Sequence, residues 1–169
     1  MGEQLSCDFA EKLRRCESVL EIFELVKACV ERILNLSRGG IMIGLQDLPN
    51  QLLSYHPIGS NIIVLNKRVI SRAAYLVEDQ EVLNSLLFYA ILREYLRSLG
   101  IVDERLAKQY SLEICEKVFG DEHVLTFIAK NGLEVIISEL DDVLADSDYS
   151  VTDDILILKD TRNRDLSYV

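Results

Sequence analysis

The chemistry open to this chain lies in the run Arg93-Glu94-Tyr95-Leu96-Arg97, with Asp103 just beyond it. On a helix turning 100° per residue, Arg93 and Arg97 stand one above the other, and Glu94 sits about 60° round from Arg97. A guanidinium has five N–H donors, no acceptor, and a permanent charge. It can grip a carboxylate through paired N–H bonds, but it has no lone pair to give a metal ion. Two arrangements follow. In one, the turn emerges into water and its charges are solvated. In the other, Glu94 and Asp103 pair with the arginines, with Arg97 touching one of them and Glu94 ion-paired. Spare positive charge there could also hold a carboxylate from outside, such as a peptide C-terminus or an acidic side chain.

The two histidines, His56 and His123, are far apart in the chain. Asp121, Glu122 and His123 are neighbours with Cys115 upstream, yet their spacing matches no metal-ligand set. Cys7, Cys16, Cys29 and Cys115 contain no C-x-x-C pair. They read as small buried or half-buried side chains in a reducing compartment, although a bond from Cys7 or Cys16 to Cys115 stays open. No G-x-S-x-G elbow, P-loop or G-x-G-x-x-G turn occurs, which removes the footing for serine-hydrolase, kinase and dinucleotide readings.

Arg93-Glu94-Tyr95-Leu96-Arg97-Ser98-Leu99-Gly100-Ile101-Val102-Asp103 resembles the zincin signature H-E-x-x-H-x-x-G-x-x-H/D, with arginine at both histidine positions. The chain is similar to the small prokaryotic minimal zincin metallopeptidase-like domains, whose active-site helix ends in Gly and runs into Asp-Glu-Arg-Leu, as Asp103-Glu104-Arg105-Leu106 does here. The resemblance is detailed from Met42 to Leu106 and thin elsewhere. It implies a zincin-like fold with a groove, and it makes Glu94 a vestigial general base. In the family two imidazoles hold Zn²⁺ and the glutamate works on the bound water; arginines at those places argue against both. The expectation is a protein without metal or other cofactor, catalytically inactive, with a binding or scaffolding role toward a peptide or protein. The alternative is an active metal-dependent peptidase drawing ligands from His123, Asp103 and Glu94. A third class is a structural subunit of an oligomer.

These residues need a helix to carry them. Leu86 to Leu92 is apolar without a break, so the segment from Asp79 (its cap) to Gly100 (its stop) reads as a helix buried on every side. Asp103 opens another, Glu104 to Phe119. Upstream, apolar residues recur at three and four from Ser6 to Leu36, predicting an amphipathic helix or a pair, with Ser6 as N-cap. A long N-terminal helix covering a sheet is preferred to a coiled-coil dimer. Gly40 to Leu48 reads as a strand, Tyr55 to Ser60 as a long turn, and Asn61 to Leu65 as a second strand, with Asn66 capping a helix to Leu76. In zincin-like folds an edge strand beside the cleft holds extended peptide by strand addition. Asn61, Ile63 and Leu65 are the candidates here, and an ordinary buried strand is the other reading of this apolar run. Glu122 to Lys130 predicts a short helix stopped by Asn131-Gly132, and Leu133 to Leu144 a further one. Ile155 to Leu158 reads as a short strand, followed by a surface tail.

A chain of 169 residues that is 49% hydrophobic fits one full-sized core. The expected fold class is α+β: a small mixed sheet packed by the N-terminal helix and the central helix. Residues 1–150 form one domain, and 151–169 form a short strand and tail. The net charge of −10 disfavours nucleic acid and anionic lipid as partners. No apolar run reaches the roughly 18 residues that span a bilayer, and the start is polar and acidic rather than signal-like. The cytoplasm is the expected location.

Overall fold

A computed structural model describes residues 2–133 and 152–159. The order of elements is α1 (Gly2–Arg15), α2 (Val19–Leu34), β1 (Met42–Gln46), β2 (Ser54–Tyr55), β3 (Ile62–Asn66), α3 (Lys67–Leu76), α4 (Gln80–Ser98), α5 (Glu104–Phe119), α6 (Val124–Asn131) and β4 (Leu156–Ile157). The fold is α+β, with the four strands in one mixed sheet ordered β2-β3-β1-β4. β1 and β3 run parallel, with Met42 beside Ile62 and Gln46 beside Asn66; β2 is antiparallel to β3, and β4 to β1.

α4 is the helix the others surround, as its sequence demands. Every residue from Leu83 to Leu92 is buried, and so are Tyr95 and Leu96. It packs against α1, α2, α5 and α6 and, through its later turns, meets β2 and β3. Asp79 caps its start by accepting from the N–H groups of Glu81 and Val82. Its end closes in a Schellman arrangement: Gly100 N–H reaches Arg97 O at 3.0 Å, and Ile101 N–H reaches Leu96 O at 3.1 Å. Gly100 has φ +94°, a backbone state that suits a residue without Cβ. The Tyr95 ring meets Phe23 of α2 edge-on at 5.8 Å, and its hydroxyl accepts from Arg38 N–H.

Of the two N-terminal readings the pair of helices forms, and the long single helix does not. Ser18 adopts an extended backbone and its hydroxyl accepts from Glu21 N–H at 3.2 Å, while the Glu21 carboxylate accepts from Glu17 N–H at 2.7 Å. This reciprocal capping restarts the chain as α2. Ser6 therefore lies inside α1 and does not cap it. Asn84 serves the break from the other side, since its amide donates to Leu13 O and Cys16 O at the end of α1. The loop from Tyr55 to Ser60 turns back on a strand the sequence reading missed, β2, and so closes a hairpin with β3. All four cysteines are free. Burial pushes Cys16 to about 11 and Cys29 to about 12, and raises Cys115 further. The helix expected over Leu133 to Leu144 and most of the tail lie outside the described residues. No described helix is long and apolar enough to cross a membrane.

Candidate functional site

The last turns of α4 and the first turn of α5 meet at an ion cluster. One carboxylate oxygen of Glu104 accepts from Arg93 and the other from Arg97. Arg97 also donates through its other terminal nitrogen to Glu94 at 3.4 Å. Arg93 donates to the Tyr89 hydroxyl at 3.3 Å, one turn back. The second oxygen of Glu94 accepts from the Ser54 hydroxyl of β2 at 3.1 Å. The expected pairing of Arg97 with Glu94 is present, and so is an ion pair on Glu94.

Asp103 is absent from this cluster. One oxygen of its carboxylate, Oδ1, accepts from the N–H groups of Arg105 and Leu106 at 2.8 and 3.1 Å as the N-cap of α5. The neighbouring Glu104 reaches both arginines instead. The alternative metal set is not assembled either. His123 caps α6, its Nδ1 accepting from Leu125 N–H at 3.0 Å, and its Nε2 lies 3.0 Å from Glu81. Both ring nitrogens are thus engaged well away from Glu94. Among the described residues no group of three His, Cys, Asp or Glu side chains could hold a metal ion.

Burial differs sharply within the cluster. The side chain of Glu94 is 5% exposed, those of Arg93 and Arg97 21% and 30%, and that of Glu104 61%. Burial pushes the Glu94 pKa above the usual carboxylate range, and Arg97, the Ser54 hydroxyl, Arg93 and His56 pull it only partway back. Desolvation thus outweighs the ion pair, whose 3.4 Å separation is long for a charge-assisted bond. At Arg93, burial works against the charge, but the Tyr89 hydroxyl and the carboxylates of Glu104 and Glu94 hold the guanidinium above its ordinary value. Its buried Nε has no hydrogen-bond partner among the described residues.

The strand expected to offer a binding edge is an inner one. β3 has β2 on one side and β1 on the other, so Asn61, Ile63 and Leu65 cannot take an added strand. Ile63 and Leu65 are fully buried, and Asn61 O already accepts from Met42 N–H at 2.8 Å. The outer strand beside the ion cluster is β2. Asn66 N–H bonds to Leu53 O at 2.8 Å, and Ser54 stands opposite Leu65. Alternation along an antiparallel pair then turns the backbone N–H and C=O of Ser54 away from β3. His56, at the end of this strand, is buried and donates from Nδ1 to Ile62 O at 2.8 Å, since a carbonyl can only accept.

Ser54, Tyr89 and Glu104 join the site without having been picked from the sequence, and His56, weighed there only as a metal ligand, lies at the end of β2 bonded to Ile62 O. Among the described residues, one hollow lies between α2, β1 and Leu158 and another around Arg14, Arg15 and Gln80; neither includes a cluster residue. No protein-family model, curated protein or solved structure matches this chain.

Proposed function

We propose that this chain is a metal-free, catalytically inactive zincin-like protein that binds a peptide or protein beside Arg93, Glu94 and Arg97. One observation carries the reading. The two positions that resemble zinc-ligating histidines hold donor-only side chains, and both are drawn into carboxylates rather than left open to a cation. Glu94 keeps the place of a general base but is occupied by Ser54 and Arg97. The outer edge of β2 offers the outward N–H and C=O of Ser54, whose hydroxyl reaches Glu94, to an extended backbone. The cytoplasm fits free thiols and an acidic surface.

A peptide array probed with wild-type protein and with the Arg93→Ala/Arg97→Ala double variant tests the binding half. Wild type is expected to bind a subset of peptides that the folded double variant loses by at least about tenfold; that corresponds to roughly 1.4 kcal/mol. Equal binding by both proteins rejects the site. Metal analysis after purification without chelator tests the other half. Zinc well below one ion per chain is expected, and stoichiometric zinc lost on Glu94→Gln overturns the metal-free reading.

A further inference from the structure

We infer that Glu104 is a built-in competitor for the ligand of this site, occupying the place that an incoming carboxylate takes. The inference rests on the binding function proposed above and adds the class of ligand and the control of access. Glu104 gives one oxygen to each arginine, so its carboxylate bridges the two guanidiniums through charge-assisted bonds that any carboxylate can make. Unlike Glu94, it is not locked in: its side chain is 61% exposed, and its helix is capped by Asp103 rather than by it. Ion pairs at such exposure contribute little, so the side chain can turn out to solvent at small cost.

Charge fixes what replaces it. With Glu104 in place, Arg93 and Arg97 are balanced by Glu94 and Glu104. With Glu104 turned away, one positive charge is uncompensated, and Glu94 stays put because it is buried and bonded to Ser54. The opening therefore suits one monoanion with two oxygens. The unpartnered, buried Nε of Arg93 is a further donor in the same cluster. Among carboxylates, the free C-terminus of a peptide is favoured over a side-chain acid. Its own backbone would follow the outer edge of β2, where Ser54 turns its N–H and C=O outward. Ligand and Glu104 compete for the same nitrogens, so the tethered side chain lowers apparent affinity by the fraction of time it sits in place.

The test is calorimetric titration of wild type and Glu104→Gln with three probes: a peptide selected on the array, the same peptide amidated at its C-terminus, and an amidated peptide with an internal glutamate. Glutamine at an exposed helix position leaves the fold intact, which circular dichroism checks. The free-acid peptide is expected to bind Glu104→Gln about tenfold more tightly than wild type, and the amidated peptide to show no such gain. Gain with an internal glutamate peptide but not with the free C-terminus overturns the C-terminal assignment. Equal affinity of both proteins for the free acid overturns the competitor role while leaving the binding function standing. No binding of any peptide by either protein removes both.

Discussion

Two places in this molecule put several polar groups at the end of an element, and they do it in opposite ways. At the end of β3, Asn66 is fully buried and completely used. Its amide donates to Leu48 O, Pro49 O and Leu52 O at 3.2, 3.0 and 2.8 Å, and its oxygen accepts from Leu48 and Arg68 N–H at 3.3 and 3.1 Å. That one side chain pins the 48–52 loop to the start of α3. At the end of α4, the arginine cluster is half-exposed, holds one long ion pair, and leaves a buried donor unpartnered. A polar group that only holds the fold together is closed on itself, because an unmet buried group is costly. A cluster that keeps an unmet donor and an exposed counter-charge has room for something else. The clamp is not perfectly closed either, since the buried Oδ1 of Asn50 in the same loop has no partner among the described residues; what sets the arginine cluster apart is its exposed counter-charge, Glu104.

The strongest way to test the contrast is to break the clamp. Asn66→Ala strands three carbonyls and two N–H groups in or near the core and removes the cap of α3. A loss of about 3 kcal/mol is expected, read from urea denaturation. Asn66→Asp retains the cap and the two accepting bonds but points a carboxylate at three carbonyls, and should lose at least as much. An aspartate variant as stable as wild type would show that the amide donors contribute nothing and that the loop is held some other way. Neither change should alter peptide binding by the folded fraction, whereas the arginine substitutions should alter it.

What the sequence showed of this architecture was the part encoded locally. Asp79, Asn66, Asp103 and the Asn131-Gly132 pair mark helix ends through bonds to backbone a few residues away, so their positions could be read directly. The burial of α4 followed from an unbroken apolar run. The break between α1 and α2 was also local: Ser18-Val19-Leu20-Glu21 is a capping box, masked by apolar periodicity that continues through it. β2 gave no such signal, because two residues cannot show alternation. That β3 is an inner strand depends on which strands flank it, a pairing between distant segments that no window of sequence contains. The exchange of Asp103 for Glu104 was open to reasoning, however. Capping α5 holds the short Asp103 carboxylate over its own helix start through one oxygen, and the longer side chain one position on reaches both arginines.

Glu94 offers the smallest expected effect, and its direction is set by burial. A carboxyl whose pKa is higher folded than unfolded binds more protons in the folded state between those two values. Stability from this group therefore rises as pH falls through that interval, the reverse of an ordinary paired carboxylate. The penalty of ionised Glu94 is complete above its raised pKa and gone below the usual carboxylate range of about 4. Glu94→Gln has no proton to take up there. The stability of wild type relative to this variant should then shift in favour of wild type on acidification from about pH 7 to about pH 4, measured by urea denaturation at each pH. A shift in the opposite direction would mean that Arg97 and Ser54 outweigh burial at Glu94. The cluster would then be as closed as the Asn66 clamp, and an external carboxylate would have far less reason to enter it.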